Sequence, residues 1–440
     1  MKKEIPQVST LTFLKNATRI LKNPLPFHHE NFQKHGDIFR LNVGPKKSVI
    51  FCRDADFAQY VLQKNQKNYI KSEIQTKDLV KYVGHGLLTS NGEHWQKQRK
   101  LIQPAFHKKH IANLLDTVLE AIRVEYSKLP IGQRIDIFPV FNDLAFQTVV
   151  KSLFSSAANQ EEINRLQYVT EANQKMLVKE LRQPYKSLWF KISGELKHHL
   201  KLSEESREIL RKIVHQRKAN PKRFDDLLDM LLGARYDDGE PMGEEQLIDE
   251  ILILFVAGHE TTSNSLSFTT QLLAHHPQIQ DKIYKEVKTA SDNSEGLMEF
   301  LQQCPLTQNV ILESMRLYPP AYFMDRVNLE EDEFKGFKFD KKSDLLFSFY
   351  EIHRSEKHWE NPDEFNPDRF ASEKNPPAYF PFGAGPRKCI GSNFAMYEMI
   401  LAVSELILNY KILPVKKEIE ILPLITLKPK NAYVEFKKRT

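Results

Sequence analysis

Apolar and polar residues alternate in two stretches, one near each end of the chain. In the segment 37–54, five apolar residues occupy alternate positions on the two sides of a Gly44-Pro45 pair: Phe39, Leu41, Val43, Val49 and Phe51. This spacing is typical of a β-hairpin. The last residues, ILPLITLKPKNAYVEFKKR, alternate in the same way around a Pro-Lys-Asn turn. The sequence therefore predicts small β-sheets near both termini.

Between these stretches, apolar residues recur at helical spacing through most of positions 55–290. One such stripe contains Ile111, Leu114, Leu115, Val118, Leu119, Ile122 and Tyr126. The longest candidate helix begins near Glu244 and ends at His276, because Pro277 blocks its continuation. No repeat and no Pro/Gly/Ser-rich linker divides the chain. We therefore expect a mainly α fold, with a single large helical domain over residues 1–440 and only minor β-structure.

The centre of the long candidate helix is polar. It reads AGHETTSNS at positions 257–265, inside an otherwise apolar segment. Buried Glu260, Thr261 and Thr262 cost free energy unless they are hydrogen-bonded, and hydroxyl groups compete for the carbonyls of their own helix. A local distortion of the helix is therefore predicted here. Taken alone, the segment fits a packed, hydroxyl-rich turn as well as it fits a functional site.

Composition and charge exclude several classes of protein. The chain has 440 residues, 41% of them hydrophobic, which excludes disordered and fibrous proteins. The formal net charge of +6 is small and the basic residues are interleaved with acids, so nucleic acid is not an expected partner. The longest apolar run, ILILFVA at 251–257, is far shorter than the ~20 residues of a membrane span. Three widely spaced cysteines cannot form a disulfide framework, which favours a reducing compartment.

A cysteine-containing segment carries the most specific signal for chemistry. Residues 382–391 read FGAGPRKCIG and place Phe382, Gly385, Arg387, Cys389 and Gly391 in the pattern F-x-x-G-x-R-x-C-x-G. The glycines permit a tight turn that brings amide N–H groups to the sulfur, so we expect the pKa of Cys389 to be lowered and its thiolate to be available to a metal. Arg387 is placed to reach a nearby anion.

This segment resembles the cysteine loop of the cytochrome P450 family, and the resemblance extends over almost the whole chain. It implies the P450 fold and haem b as cofactor, with Cys389 as the axial ligand of the iron. Phe382 would tune the electron density of the sulfur. The polar segment matches the family's A/G-G-x-D/E-T-T/S pattern. Glu260 and Thr261 are thereby implied as catalytic residues that organise water and protons beside dioxygen. Ala257 and Gly258 would let the haem approach the helix.

Two further segments support the resemblance. ESMR at 313–316 and FNPDRF at 365–370 match the family's E-x-x-R helix and its downstream arginine, which implies a structural network of Glu313, Arg316 and Arg369. WQKQR at 95–99 matches W-x-x-x-R. Haem propionates need cationic or hydrogen-bonding partners, and the four residues expected to contact them are Trp95, Arg99, Arg326 and Arg387. Lys71 and His94 are weaker candidates and are set aside.

The resemblance implies a monooxygenase that inserts one atom of O2 into a small organic substrate by hydroxylation or O-dealkylation. The chain has no G-x-G-x-x-G loop for a nucleotide and only 49 residues after Gly391. We therefore expect electrons from a separate ferredoxin and ferredoxin reductase, docked near Lys97, Lys100 and Lys388. The expected setting is a bacterial cytoplasm, with the protein as a monomer.

Two alternatives remain open at this point. One is a peroxide-driven peroxygenase or an isomerase on the same fold, although members of that kind usually lack the acid–alcohol pair that Glu260 and Thr261 form. The other is a non-catalytic haem protein that binds a ligand. The sequence does not rank fatty acids, terpenoids, carotenoids and methoxylated sugars as substrates.

Overall fold

The fold is built mainly of α-helices. The computed structural model describes residues 3–44, 47–155, 158–220, 222–373 and 376–439. Within these ranges the helices are α1 Thr10–Lys15, α2 Ala17–Lys22, α3 Leu25–His35, α4 Ala55–Gln59, α5 Val80–Val83, α6 Gly92–Ile102, α7 Lys108–Ala112, α8 Leu115–Tyr126, α9 Ile137–Phe154, α10 Gln160–Arg182, α11 Ser187–Ile192, α12 Glu195–Ala219, α13 Leu227–Gly233, α14 Glu244–His275, α15 Pro277–Asn293, α16 Leu297–Gln302, α17 Pro305–Leu317, α18 Phe349–Ile352 and α19 Ser392–Asn409.

The strands of the described residues form four small sheets. They are β1 Gln7–Val8, β2 Ile38–Gly44, β3 Lys47–Cys52, β4 Tyr69–Ile70, β5 Arg134–Asp136, β6 Phe323–Asn328, β7 Asp332–Phe334, β8 Phe337–Phe339, β9 Asp344–Ser348, β10 Tyr410–Pro414, β11 Glu420–Pro423, β12 Leu427–Lys430 and β13 Tyr433–Lys438. The largest sheet has the order β1-β2-β3-β9-β6-β4, and the others are β10-β13-β5, β11-β12 and β7-β8. The mainly α fold class with minor sheets is thereby confirmed.

The two predicted β-regions are present, but their pairing extends further than the sequence indicates. Strands β2 and β3 form the antiparallel hairpin expected at 37–54; Pro45 of its predicted turn lies outside the described residues. β3 also pairs in parallel with β9, so the N-terminal sheet includes chain from positions 323–348. Near the C-terminus, the Pro-Lys-Asn turn separates two sheets, because β12 pairs with β11 whereas β13 pairs with β10 and β5.

The long helix α14 matches its prediction closely. It follows Gly243, runs from Glu244 to His275 and stops before Pro277 begins α15. The predicted distortion at 257–265 is wrong, because the helix is unbroken there. Side-chain hydroxyls bond to carbonyls one turn earlier without breaking it, for example Ser265 to Thr261 O at 3.0 Å and Ser267 to Ser263 O at 2.7 Å.

The position of α14 explains where a site can lie. Its first part, Leu247–Phe255, belongs to one core cluster together with residues of α9, α10 and α12. Its last part, including Leu266 and Leu273, belongs to a second cluster together with α8, α17 and α19. The polar segment 257–265 lies between the two apolar cores. Helix α19, which follows the cysteine segment, packs in the second of them.

Candidate active site

The backbone of the cysteine loop favours glycine at Gly383, where φ is +69°, and at Gly385. Gly385 begins a short 3-10 turn and has a φ of +68°, and a Cβ atom built on it would lie 2.0 Å from the carbonyl oxygen of Leu62. The Cys389 N–H donates to the carbonyl of Phe382 at 2.9 Å, which closes the loop. Gly391 differs: its φ is −87°, and an added Cβ would be 3.8 Å from Phe106, an ordinary contact.

Cys389 is the accessible cysteine of the three. Cys52 and Cys304 are buried, whereas the side chain of Cys389 is accessible even though protein surrounds it. Burial raises the pKa of the Cys389 thiol, while the Gly391 N–H and the charges of Arg99 and Lys388 act in the opposite direction. The expected net lowering of this pKa is therefore wrong for the chain without its cofactor. The thiol lies where a metal could reach it, beside groups that favour its anion.

Three cations converge beside the loop, two of them buried and the third, Arg387, half-buried. Arg387 donates to the carbonyl of Ser90 at 3.1 Å, and its guanidinium carbon lies 4.2 Å from the centre of the buried Trp95 ring. Arg326 on β6 and Lys71 after β4 are only 5% and 8% exposed. We call Lys71, Arg326 and Arg387 the cation group. None of the carboxylates in the described residues forms an ion pair with any of them.

The electrostatics of the cation group point to an anionic ligand. Burial lowers the pKa of Lys71 well below its usual value, and the charges of Arg387 and Arg326 lower it further. Burial, with a contribution from Arg326, lowers the pKa of Arg387 to about 10. The nearest acid, Asp325, accepts hydrogen bonds from Ser72 N and Gln75 instead. Buried like charges are costly unless an anion compensates them, so these residues fit the carboxylates of a haem.

Lys71 belongs to this group although the sequence analysis set it aside. Its ammonium donates to the carbonyl of Leu88 at 2.5 Å, in the loop between α5 and α6. No local pattern around KSEIQTK signals this position, because it depends on the pairing of β4 with β6. His94, the other residue set aside, is exposed. Arg99 lies apart from the group, since it donates to the carbonyl of Lys388 at 2.8 Å and to Gln103 at 3.0 Å. Its expected propionate contact stays a prediction.

The polar segment of α14 presents its residues in different directions. Ala257 is exposed although it lies in the middle of the longest helix, so α14 is open at this point. The hydroxyl of Thr261 donates to the carbonyl of Ala257 at 2.9 Å. A Cβ on Gly258 would lie 3.0 Å from Val149 of α9. Packing against α9 therefore accounts for the small residue at 258, and its expected approach to the haem stays a prediction.

Glu260 faces the hairpin of β11 and β12, which we call the C-terminal hairpin. Its carboxylate accepts a hydrogen bond from the hydroxyl of Thr426 and forms an ion pair with Lys428 at 3.1 Å. Asn264, one turn later on α14, donates to the same Thr426 hydroxyl at 3.1 Å. Consecutive helix residues point about 100° apart, so Glu260 and Thr261 do not face each other. Sequence reasoning missed Thr426 and Lys428, which are distant in the chain and carry no motif.

The E-x-x-R segment forms a buried network. Glu313 and Arg316 are both 0% exposed and are joined by two hydrogen bonds of 2.7 and 2.9 Å. Arg369 donates to Glu313 at 3.3 Å, so the structure brings the three predicted residues together. Arg316 also donates to the carbonyl of His353, whose Nε2 accepts the N–H of Phe380 at 2.9 Å. The network thus reaches the segment that enters the cysteine loop, which begins at the half-buried Phe382.

A separate small cavity lies beside α14, and its enclosed space would hold little more than one water molecule. Its apolar lining consists of Leu79, Tyr82, Val83, Val169, Leu177, Leu252 and Val256, and its polar lining of Thr170, Asn173, Gln174 and Ser206. Val256 is adjacent to the accessible Ala257, so the cavity approaches the polar segment of the helix.

No group of three or more His, Cys, Asp or Glu residues that could hold a metal ion is found in the described part of the chain.

Comparison with known proteins decides the family. The family model described as "Cytochrome P450" matches residues 6–436. This chain belongs to the cytochrome P450 family. It is similar in sequence to a pentalenene oxygenase of Streptomyces avermitilis, with 25% identity over 93% of this chain and 91% of that one. It is also similar to a cyclooctat-9-en-7-ol 5-monooxygenase of Streptomyces melanosporofaciens, with 26% identity over 92% and 89%.

The relatives extend beyond bacteria, and the fold agrees with solved P450 structures. The chain is 29% identical to the chloroplastic protein LUTEIN DEFICIENT 5 of Arabidopsis thaliana, over 88% of this chain and 69% of that one. The haem domain of cytochrome P450DA superposes with a TM-score of 0.87 at 20% identity, covering 100% of this chain. The protein is thus a P450 monooxygenase, and its family implies a haem cofactor. No helix among the described residues combines the length and apolarity needed to cross a bilayer.

Proposed function

We propose that this P450 binds haem b through Cys389 and inserts one oxygen atom of O2 into a neutral, mainly apolar substrate. One observation carries the proposal: an accessible cysteine lies beside the cation group, whose buried and half-buried side chains form no ion pair with a described carboxylate. Lys71, Arg326 and Arg387 would hold the propionates, with Trp95 stacked on Arg387. When bound, the haem would supply the activation of O2 and the oxygen-transfer chemistry.

The residues of α14 would hold and transfer protons near the bound cofactor. The hydroxyl of Thr261 is held by the carbonyl of Ala257 and can pass a proton without a change of charge. Glu260 forms an ion pair with Lys428 and accepts a hydrogen bond from Thr426, which fix its carboxylate in place. Its carboxylate would accept a proton from water near Thr261 or return one to it. The E-x-x-R network would support the cysteine loop without contacting substrate.

The lining of the cavity favours one kind of substrate. No charged residue is among those that line it, so a carboxylate has no cation there to bind. The hydroxyls of Thr170 and Ser206 already donate to carbonyls of their own helices. Asn173 Oδ1 already contacts His199 Nδ1 at 3.2 Å, so the NH2 group of Asn173 and the amide of Gln174 remain to bond one polar group of a ligand. We propose a terpenoid-like substrate with a single hydroxyl or carbonyl group, which the terpenoid names of the two Streptomyces relatives support.

We further propose that electrons come from a separate ferredoxin and its reductase, and that the chain acts as one catalytic domain and a monomer in the cytoplasm. Lys388 is exposed next to Cys389 and could bind an acidic partner, together with Lys97, which is exposed on α6. Lys100 is less available, because it pairs with Asp237 at 2.6 Å. Lys388→Glu should slow reduction by ferredoxin without changing substrate affinity, whereas Lys282→Glu, on α15, should leave both unchanged.

The test of this function is a reconstituted reaction with a panel of terpenoids, fatty acids and sugars. The purified haem-loaded enzyme is supplied with NADPH and a surrogate ferredoxin system, and product and oxygen consumption are measured. Product that depends on NADPH and O2 from a neutral terpenoid is the expected result. Product with peroxide alone would mean a peroxygenase. Spectral shifts without any product would mean a ligand-binding protein.

A further inference from the structure

His259 is a buried histidine in the polar segment of α14, and the proposed function does not use it. Its side chain is 1% exposed, and its Nδ1 atom lies 2.7 Å from the carbonyl oxygen of Phe255, one turn earlier. Because a carbonyl oxygen only accepts, Nδ1 carries the proton, and the lone pair of the neutral ring is on Nε2. Nε2 is buried and has no hydrogen-bond partner among the described residues. The ring therefore keeps one unused proton acceptor inside the protein.

One face of α9 connects His259 with a carboxylate that water can reach. Phe146 on α9 meets the imidazole edge to face, with the two ring centres 5.5 Å apart. One turn earlier on the same face, Asn142 donates to the carboxylate of Glu171 on α10 at 2.7 Å. Glu171 is only half-buried. His259 and Glu171 therefore lie beside neighbouring turns of α9, and the negative charge of Glu171 acts on the imidazole.

The same face of α9 continues to the ion pair of Glu260 and Lys428. Phe138, at the start of this face, has its ring centre 5.4 Å from the Nζ atom of Lys428. Lys428 in turn lies 3.1 Å from the carboxylate of Glu260, which follows His259 directly in the chain. Two carboxylates from different helices, Glu171 on α10 and Glu260 on α14, thus act on one buried imidazole.

The charges around His259 suit a group that gains and loses a proton. Burial lowers the pKa of His259, so the resting ring is neutral. The hydrogen bond to the Phe255 carbonyl and the charges of Glu260 and Glu171 act in the opposite direction, whereas the charge of Lys428 lowers this pKa further. A neutral imidazole beside acids can accept a proton and pass it on.

We infer that His259 relays protons between the half-buried Glu171 and the carboxylate of Glu260 beside Thr261. A proton from bulk water would pass through Glu171 to Nε2, and the imidazolium would release the same proton to Glu260, with water carrying it between the groups. Only O–H and N–H bonds form and break, and Nδ1 keeps its proton on the Phe255 carbonyl. The relay rests on the proposed function, because the release of one oxygen atom of O2 as water consumes protons.

The first measurement is the coupling of the purified, haem-loaded enzyme with NADPH and a surrogate ferredoxin system. His259→Phe keeps an aromatic ring against Phe146 and removes Nε2. Product per NADPH should fall by about fivefold, and the solvent isotope effect on product formation should rise, while substrate affinity stays unchanged. His276→Phe is the matched control, because His276 at the end of α14 also contacts the carbonyl four residues earlier, at 2.7 Å.

A carboxylate variant separates a relay from a packing role. Glu171→Gln keeps an acceptor for Asn142 and removes the group that carries the proton, so coupling should fall in the same direction as in His259→Phe. The double variant should be no worse than His259→Phe alone, because both changes interrupt one route. Glu161→Gln, exposed on the same helix, is the control and should leave coupling unchanged.

A third measurement does not depend on turnover. Nuclear magnetic resonance of nitrogen-15-labelled histidine in the reduced, carbon monoxide-bound protein reports which imidazole nitrogen carries the proton, and His259→Phe assigns the signal. The expected form near neutral pH is the Nδ1–H tautomer. Glu171→Gln should lower the pKa of His259, because it removes a charge that favours the protonated ring.

Four results would overturn the inference: unchanged coupling in His259→Phe, additive losses in the double variant, an Nε2–H tautomer, or a His259 pKa that Glu171→Gln does not change. An enzyme that forms no product from any substrate would contradict the proposed function instead, and the resonance measurements would then decide whether Nε2 accepts protons beside Glu171. If His259→Phe does not fold, His259→Gln takes its place, because an amide can hydrogen-bond there but cannot gain a proton.

Discussion

The Nζ atom of Lys428 lies 3.1 Å from Oε1 of Glu260, across the interface between the C-terminal hairpin and the middle of α14. Glu260 is almost fully buried, and Lys428 is about one-fifth exposed. The pair therefore holds the acidic residue of the polar segment toward the hairpin. A proton route that uses Glu260 therefore depends on Lys428, which is far from Glu260 in the sequence.

Removal of Lys428 should leave a buried carboxylate without its cation. Breaking a fully buried pair costs about 3–5 kcal/mol, and the partial exposure of Lys428 reduces this. We expect Lys428→Met to lower the free energy of unfolding by about 1–2 kcal/mol, measured by urea denaturation. Lys430→Met, exposed on the same strand, is the control. In a double-mutant cycle with Glu260→Gln, additive effects of the two changes would contradict the ion pair.

Thr261 should matter for coupling rather than for folding. Thr261→Ala removes the hydroxyl that bonds to the Ala257 carbonyl, and we expect product per NADPH to fall by about tenfold while peroxide rises. Thr269 makes the same bond to Ser265 on the same helix, so Thr269→Ala is the matched control. Peroxide and product are quantified together. Unchanged coupling in Thr261→Ala would exclude this hydroxyl from proton delivery.

Gly385 and Gly391 of the cysteine loop should respond differently to alanine. Gly385→Ala requires a strained φ and places a methyl group against the Leu62 carbonyl, so haem content per protein should fall by at least about tenfold. Gly391→Ala meets only an ordinary contact with Phe106 and should retain its haem. Absorbance of the purified variants in the Soret region measures this. Equal haem loss in both variants would contradict the loop geometry.

Buried Glu398 should make stability depend on pH. Burial raises the pKa of Glu398 from 4.5 to about 8, and its partner is the hydroxyl of Thr148. Between these pH values the unfolded chain has lost a proton that the folded chain keeps, so the free energy of unfolding should decrease as pH rises from about 4.5 to 8. Glu398→Gln should remove this loss and be more stable than the parent at pH 8 by about 3 kcal/mol.

Urea denaturation of both proteins across this pH range is the measurement. Glu250→Gln is a matched comparison, because burial raises the pKa of Glu250 only to about 7 and its effect should therefore end at lower pH. A parent whose stability is constant from pH 5 to about 8 would contradict a protonated Glu398.

Short-range patterns account for what the sequence predicts well. The bounds of α14 follow from periodicity and Pro277, the cysteine loop from ten residues, and the Glu313–Arg316 pair from one helical turn. Other features depend on residues that meet only after folding. The pairing of β4 with β6 brings Lys71 near Arg387. The C-terminal hairpin brings Lys428 into its ion pair with Glu260. Neither contact leaves a local pattern, and the packing of Gly258 on Val149 is equally invisible in the sequence.

The most direct test concerns the sulfur of Cys389. The purified holoprotein is reduced, exposed to carbon monoxide, and its absorption spectrum is recorded beside that of Cys389→Ser. We predict a strongly red-shifted Soret band for the parent, typical of thiolate ligation, and its loss in the serine variant. A parent without that band, or a serine variant that keeps it, would contradict the assignment of Cys389 as the ligand.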